Sequence, residues 1–180
     1  MREGSAMQDI LIVVDMQNDF ITGALGTPEA QAIVERVADK MRTFNGRVMT
    51  TRDTHEDNYL DTQEGRLLPV PHCIRSSWGW QLHPLVEAQR REEPVDKPVF
   101  GSAALGQMLA RENAHVPIRS ITLVGLCTDI CVISNALILR AFLPKTEIVV
   151  DAACCAGVTP DSHQTALTAM KACQVRIDHE

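Results

Sequence analysis

Three residues of complementary chemistry lie next to short apolar runs of this sequence. Asp15 comes directly after the apolar run at residues 10–14, at a predicted strand end of the kind where open parallel sheets bind ligands. Cys131 lies a few residues after the run at 121–126, at the start of a helical pattern. The positive end of a helix dipole there is expected to lower its thiol pKa toward neutrality. Lys97, in the segment VDKPVFGS, could bring an ammonium to the same pocket. These residue types together suit nucleophilic attack by a thiolate.

Each of the three residues also has a structural interpretation. Asp15 could cap a neighbouring turn or helix, Lys97 could lie on a surface loop, and Cys131 could be a small buried hydrophobic residue. Cys127 lies one helical turn before Cys131, so the two thiols could form a redox pair, although their spacing is Cys-x-x-x-Cys and not Cys-x-x-Cys. The residue types alone leave hydrolytic, redox and structural roles open.

Short apolar runs separated by helical patterns predict a parallel sheet covered on both faces. The runs lie at residues 10–14, 48–49, 121–126 and 148–150, with a weaker one at 175–177. Apolar residues recur at helical spacing over residues 28–44, 102–111, 128–143 and 161–172. The sequence therefore predicts an α/β fold, a single domain with three α/β/α layers and a mainly parallel central sheet of the Rossmann-like kind. In such a sheet, residues that follow different strands can meet at the carboxyl edge.

Length and composition indicate one globular domain. The chain has 180 residues, of which 45% are hydrophobic and 22% are charged, and no linker or repeat divides it. We predict that residues 9–180 form this domain. Residues 1–8, which show no periodicity, are expected to be a leader that is either frayed or left over from cloning.

Charge and cysteine content narrow the expected partners and location. A net charge of −6 without a basic run argues against nucleic-acid binding. No apolar run is long enough for a secretory signal or a membrane span. The six cysteines lack the spacing of a disulfide scaffold, so we expect a reducing compartment, the cytoplasm.

The surroundings of the three candidate residues resemble the isochorismatase-like cysteine hydrolases and, within them, the nicotinamidases. The matching segments are ILIVVDMQNDF around Asp15, KPVFGS around Lys97 and VGLCTDICV ending near Cys131. The G-x-x-T-D-x-C-V signature of the family is reproduced by Gly125, Thr128, Asp129, Cys131 and Val132. The resemblance extends over residues 9–178.

This resemblance implies hydrolysis of a small amide, nicotinamide or a similar compound, to the acid and ammonia through a thioester on Cys131. Asp15 would accept the thiol proton, and Lys97 would stabilise the charges and hold Asp15. The backbone N–H groups of Cys127 and Cys131 would bind the oxyanion. The family also implies a cis peptide bond before Cys127 and selects Cys131, not Cys127, as the nucleophile.

A metal site is also implied. The irregular segment at residues 52–84 is long enough to suggest a functional role, and its Asp-x-His pair points two side chains to one face of an extended strand end. The set that resembles the metal site of nicotinamidases is Asp53, His55, Glu64 and His72. Many nicotinamidases have a further His shortly after the Asp-x-His pair, a role that Glu64 would take here. Zn, Fe and Mn are equally compatible with these ligands.

The resemblance suggests aromatic walls for the substrate, Phe20 and Phe100, whereas Leu68 stands where many nicotinamidases have a tryptophan. Trp78 and Trp80 are predicted to lie in the core or in an interface. Family members are commonly homo-oligomers. The remaining histidines are predicted to be surface or core residues: His83, His115, His163 and His179. The remaining cysteines are predicted to be packing residues: Cys73, Cys154, Cys155 and Cys173.

Two further functions compete with nicotinamide hydrolysis. One is another reaction of the same superfamily, on an N-carbamoyl, ureido or isochorismate-type substrate. The other is a non-hydrolytic redox or binding protein that uses Cys127 and Cys131. Metal content and the identity of the reactive thiol distinguish these alternatives.

Overall fold

The computed structural model of the chain describes residues 7–180. The predicted leader lies outside the described residues except for Met7 and Gln8, and Gln8 is already the first residue of β1. The prediction for residues 1–6 therefore stays a prediction.

Six strands form one sheet in which every neighbouring pair is parallel. The order across the sheet is β3-β2-β1-β4-β5-β6. The strands are β1 (Gln8–Val14), β2 (Arg47–Asp53), β3 (Val95–Lys97), β4 (Ile118–Leu126), β5 (Glu147–Ala156) and β6 (Arg176–Asp178). The α/β prediction is confirmed, and the described sheet is entirely parallel. Parallel neighbours require crossover connections, and helices supply most of these here.

The helices lie on both faces of the sheet. They are α1 (Asn18–Ile21), α2 (Pro28–Thr43), α3 (Gln63–Leu67), α4 (Pro84–Glu87), α5 (Ala103–Asn113), α6 (Ile133–Phe142) and α7 (Pro160–Ala172). A 3₁₀ turn spans Tyr59–Asp61, and a π-helical turn, Thr128–Val132, leads into α6. Between Met7 and Glu180, none of the helices combines the length and the apolar character that a bilayer-spanning segment needs.

Successive side chains of β1 point to opposite faces of the sheet and pack against the helices on each face. Ile10, Ile12 and Val14 face the core formed with α5, α6 and α7, whereas Leu11 and Val13 face the core formed with α2 and α4. All five side chains are fully buried. Because each such side chain contributes about 1.5 to 3 kcal/mol when removed from water, β1 helps to hold both helical layers to the sheet.

Several short elements were not apparent in the sequence. β3, α1, α3 and α4 have five residues or fewer, too few for a hydrophobic period to emerge. Cys73, Cys154 and Cys155 are buried as predicted, but Cys173, at the end of α7, is exposed. Trp78 is 59% exposed, so it does not lie in the core, and its predicted place in an interface stays a prediction.

A buried ion pair joins α2 to the sheet. The Lys40 ammonium donates to Asp151 Oδ2 at 2.7 Å, and the Asp151 side chain is only 3% exposed. Burial alone would raise the pKa of Asp151, but hydrogen bonds from Lys40 and His179 outweigh burial and lower this pKa below its ordinary value. The contribution of Asp151 to stability is therefore present above pH 4 or so and is lost as the pH falls through the lowered pKa.

We expect Lys40→Met to lower the free energy of unfolding by about 1 to 3 kcal/mol at pH 7, because it leaves a buried carboxylate without its cation. The matched control is Arg42→Met on the same helix, whose pair with Asp39 is exposed on both sides and should contribute less than about 0.5 kcal/mol. Urea unfolding at pH 7 and again near pH 3 measures both variants. Equal losses in the two variants, or a Lys40→Met deficit that persists at pH 3, would contradict this interpretation.

Candidate active site

The candidate residues gather where the sheet order reverses. β1 has β2 on one side and β4 on the other, and this is the topological switch point at which open α/β sheets form ligand crevices. Asp15 follows β1, Asp53 ends β2, Lys97 ends β3, and Cys131 lies in the π-helical turn after β4. Four neighbouring strands therefore each bring one candidate side chain to the carboxyl edge.

Close packing of β4 on β1 shapes the start of the site. Gly125 has a φ of +111°, and a Cβ added there would lie 2.2 Å from the Val14 carbonyl oxygen, so only glycine fits. Asp15, the next residue of the chain after Val14, has a φ of 48°, which is uncommon for a residue with a side chain. Backbone strain of this kind often accompanies functional sites because surrounding contacts must maintain it.

Lys97 connects the carboxylates to the thiol. Its Nζ lies 2.5 Å from Asp15 Oδ2, 3.4 Å from Asp53 Oδ1 and 3.5 Å from Cys131 Sγ. The Lys97 and Asp15 side chains are both fully buried. Because an unpaired buried charge is costly, the ammonium is held by the negative groups around it. The structure thus brings together the three residues that the sequence singled out.

Thr51 orients the Asp15 carboxylate. Its hydroxyl donates to Asp15 Oδ1 at 2.6 Å and also accepts from the Asp15 backbone N–H at 3.3 Å. The other oxygen, Oδ2, is buried, and among residues 7–180 it touches the Lys97 ammonium without accepting a well-aligned hydrogen bond. Asp15 Oδ2 can therefore still accept a proton.

The protonation states of the three groups follow from burial and charge. Burial raises the pKa of Asp15, although the neighbouring Lys97 ammonium opposes the rise. Burial works in the opposite sense on Lys97, but Asp15, Cys131 and Asp53 outweigh it and raise the pKa of Lys97 above its ordinary value. Lys97 therefore stays charged, and Asp15 is a stronger base than an ordinary aspartate.

The Cys131 thiol differs from the sequence-based expectation. Burial and the nearby Asp15 carboxylate raise its pKa well above the ordinary value, whereas the helix dipole was expected to lower it. A helix terminus stabilises a charge by only about 0.3 to 1 kcal/mol at most sites, less than the 1.36 kcal/mol equivalent of one pKa unit. With Cys131 only 4% exposed, desolvation dominates. The thiol needs a base to be activated.

The turn that carries Cys131 is held by side chains from two helices. The Leu126–Cys127 peptide bond is cis, as the resemblance implies. Asn135 of α6 donates to the Cys131 carbonyl oxygen at 2.8 Å, and His163 of α7 shares a 2.7 Å hydrogen bond with the Thr128 hydroxyl. His163, which matched nothing in the sequence, therefore supports the loop of the nucleophile.

The four candidate metal ligands form a cluster beside Lys97. One ligand atom from each lies within 4.8 Å of the others in the set Asp53, His55, Glu64 and His72. Asp53 Oδ2 lies 3.0 Å from His55 Nε2 and 3.5 Å from His72 Nε2. Glu64 Oε1 is 3.5 Å from His55 Nε2. Two carboxylates and two imidazoles thus point their donor atoms at one small volume.

Neighbouring groups hold these ligands in place. His72 Nδ1 lies 2.8 Å from the Val70 carbonyl, a contact that suits an Nδ1–H donor and leaves Nε2 with its lone pair toward the cluster. Gln17 binds both backbone groups of Asp53, donating to its carbonyl at 2.8 Å and accepting from its N–H at 2.7 Å. The ligand set is therefore orientated by contacts outside the set.

A cavity of about 540 Å³ opens above the thiol and the cluster. Phe20 and Phe100, the predicted aromatic walls, both line this cavity, as does Leu68. Phe20 also packs against His72, with ring centroids 5.5 Å apart. The full lining consists of Phe20, Leu25, Thr27, Asp53, Gln63, Glu64, Leu67, Leu68, His72, Val99, Phe100, Cys127, Ile130, Cys131 and Val158.

Sequence reasoning missed Thr51 and Gln17. Thr51 lies two residues before Asp53 on β2, so strand alternation puts both side chains on one face and could have indicated it. Gln17 lies in the matched segment two residues after Asp15. The apolar lining residues Leu67, Val99 and Val158 carried no signal, because isolated apolar residues in loops are common.

Comparisons with known proteins agree with this geometry. Residues 9–180 match the family described as Isochorismatase domain. The chain is 27% identical over 183 residues to the nicotinamidase/pyrazinamidase of Mycobacterium tuberculosis, covering 93% of this chain and 96% of that protein. It is also 33% identical over 102 residues to the nicotinamidase of Saccharomyces cerevisiae. This match covers 40% of this chain and 47% of that protein, which is less than half of its length.

Structural similarity extends along the whole domain. The crystal structure of the pyrazinamidase of Pyrococcus horikoshii in complex with zinc superposes with a TM-score of 0.78 at 27% identity, covering 94% of this chain and 98% of that chain. With the family match over residues 9–180, the parallel sheet and the Asp15, Lys97 and Cys131 arrangement at its carboxyl edge, the chain belongs to the isochorismatase family.

Proposed function

We propose that this protein is an amidohydrolase that converts nicotinamide to nicotinate and ammonia, with Cys131 as nucleophile. The observation that carries the proposal is the shared Lys97 ammonium, 2.5 Å from the Asp15 carboxylate and 3.5 Å from the Cys131 sulfur at the base of a ligand-sized cavity. Relatives and a structural neighbour that are named nicotinamidase or pyrazinamidase support the substrate.

The reaction begins with proton transfer from Cys131 to Asp15. Because burial raises the thiol pKa, the cysteine rests protonated, and the raised pKa of Asp15 makes this carboxylate a suitable acceptor. Lys97 stays protonated and lies next to both groups, so its positive charge stabilises the thiolate as it forms.

The thiolate then attacks the carboxamide carbon and forms a carbon–sulfur bond. The carbonyl electrons move to oxygen, and the backbone N–H groups of Cys127 and Cys131 are the proposed donors to this oxyanion. Loss of one such donor typically costs about 2.7 to 4 kcal/mol of transition-state stabilisation. Collapse of the tetrahedral intermediate breaks the carbon–nitrogen bond, and Asp15 returns its proton to the departing ammonia.

Water completes the cycle. Asp15 accepts a proton from a water molecule that attacks the thioester, the carbon–sulfur bond breaks, and the acid leaves as Cys131 regains its proton. One amide and one water are consumed, and one acid and one ammonia are released. The apolar walls of the cavity limit bulk water at the thioester.

The cluster of Asp53, His55, Glu64 and His72 fits a divalent transition metal. Mixed carboxylate and imidazole donors suit such ions, and the Val70 contact of His72 leaves Nε2 free to coordinate. A bound ion would supply a Lewis-acidic contact for the pyridine nitrogen of the substrate and so orient the ring. The same ligands serve Zn, Fe or Mn, and they provide no nucleophile in the proposed reaction.

Removing one ligand should remove the ion. We expect His72→Ala to weaken zinc binding by about 100-fold or more, since changes outside the ligand set itself already cost 10- to 100-fold. Competition with a chromophoric chelator measures the affinity without reference to activity. The exposed His115→Ala variant is the matched control and should bind zinc like the parent protein. Equal affinities in the two variants would argue against the site.

A substrate panel tests the reaction itself. Ammonia release should be faster with nicotinamide than with benzamide, which has the same shape without the ring nitrogen. An N-carbamoyl amino acid and isochorismate represent the competing reactions of the superfamily. Faster turnover of either of these, or no release from nicotinamide by the zinc-loaded protein, would contradict the proposal.

The redox alternative is disfavoured by the thiols. The thiolate is the species that exchanges disulfides, but burial raises the pKa of Cys127 to about 12 and also raises that of Cys131. Neither cysteine is poised for exchange at neutral pH without a base.

A further inference from the structure

The cavity above Cys131 has two chemically different parts. Its inner part contains the thiol and the cluster residues Asp53 and His72, all nearly inaccessible to solvent. Apart from the uncharged Gln63, the exposed side chains that line its outer part are apolar. These are Leu67 at 80% exposure, Val99 at 54%, Val158 at 46%, Phe100 at 43% and Leu68 at 38%. An exposed apolar ring of this kind marks a ligand groove or an interface.

The dimensions favour an occupant larger than one ring. At about 540 Å³ the cavity lies within the range that proteins use for drug-sized ligands, whereas nicotinamide is a single ring with a carboxamide. Among the described residues that line it, the acidic and histidine side chains belong to the inner cluster, so the outer part offers no charged partner. The outer portion of a ligand should therefore be apolar and uncharged.

The two anchors of the proposed function determine which atom of the ring faces this outer part. With the pyridine nitrogen toward the Asp53 and His72 cluster and the carboxamide carbon toward Cys131, ring position 2 lies between the anchors and faces inward. Position 5 is opposite on the ring and faces the mouth. A substituent there would extend toward Leu67, Val99 and Val158, which come from three separate segments of the chain.

We propose that the preferred substrates are pyridine-3-carboxamides that carry an apolar group, such as a phenyl ring, at position 5. The substituent would cover the exposed side chains of the mouth and exclude water from the thioester. This inference rests on the proposed function, because the orientation of the ring follows from its anchors. The reaction is unchanged: the carboxamide is hydrolysed to the acid and ammonia.

Competition between two amides provides the test. The zinc-loaded protein is assayed for kcat/KM with 5-phenylnicotinamide and with nicotinamide, and we expect a ratio of about 10 or more in favour of the phenyl compound. Leu67→Asp should lower that ratio by about tenfold, because it places a charge against the substituent. Leu60→Asp is the matched control, since Leu60 is also exposed, at 51%, but does not line the cavity. It should leave the ratio unchanged.

The outcomes distinguish failure of the substituent preference from failure of the proposed function. Hydrolysis of nicotinamide with a ratio of one or less overturns the substituent preference and leaves the proposed function standing. Absence of ammonia release from both amides overturns the proposed function and this inference with it. If Leu67→Asp instead dissociates an oligomer, seen by light scattering, and leaves the ratio unchanged, the apolar mouth is an interface between copies of the chain and the inference fails.

Discussion

Replacing Cys131 with alanine should lower kcat for ammonia release from nicotinamide by about 10⁴-fold or more. The substitution removes the sulfur that forms the carbon–sulfur bond and that lies 3.5 Å from the Lys97 ammonium. The variant should still fold, because alanine is tolerated in helical turns and the change removes only one sulfur atom. Circular dichroism and zinc affinity should match those of the parent protein.

Two other cysteines provide the controls. Cys127→Ala should stay within about tenfold of the parent kcat, because only the backbone N–H of Cys127 is used. Cys173→Ala, at an exposed position on the surface, should be indistinguishable from the parent. Loss of activity in Cys127→Ala with retention in Cys131→Ala would reassign the nucleophile to Cys127.

Asp15→Asn should lower kcat by about 10²- to 10⁴-fold, since general acid–base groups typically contribute that much. The amide has the shape of the carboxylate and can still accept from Thr51 but cannot take the thiol proton. Asp57→Asn, at an exposed carboxylate, is the matched control and should have no effect. Parent-like turnover in Asp15→Asn would remove Asp15 from the mechanism.

The pH profile distinguishes a base from a structural residue. Asp15 acts when ionised, and its pKa is raised by burial, so activity should be lost as the pH falls through that raised pKa. The acid limb of kcat/KM should therefore lie above the ordinary aspartate pKa of about 3.9. This limb should be absent from the residual activity of Asp15→Asn. An unchanged limb in the variant would assign it to another group.

Much of the fold could be predicted because strong hydrophobic patterns encode it. β1 and β4 contain long buried runs, and α2 begins at Pro28 as predicted. The Thr27 hydroxyl caps this helix by accepting from Ala30 N–H at 3.0 Å. β3 was not predicted, because three residues at a sheet edge have no period. Its last residue, Lys97, was found only through its chemistry and the family resemblance.

The limits of the site prediction have a physical origin. Residue types and strand ends indicated Asp15 and Cys131, but the direction of the Cys131 pKa depends on burial by distant segments, which no local pattern contains. For the same reason the sequence did not indicate the apolar mouth of the cavity, because Leu67 and Val158 come from separate segments that meet only in the folded chain. Local sequence thus indicates which groups can react, and tertiary packing determines their protonation and their surroundings.

The proposed mechanism requires an acyl-enzyme, and mass spectrometry can locate the acyl group. The zinc-loaded protein is mixed with nicotinamide, quenched in acid during the first turnover and digested, and fragment ions assign any nicotinoyl group to a residue. We predict this group on the sulfur of Cys131, and its absence from Cys131→Ala. A nicotinoyl group on Cys127, or ammonia release by Cys131→Ala at the parent rate, would contradict the proposed mechanism.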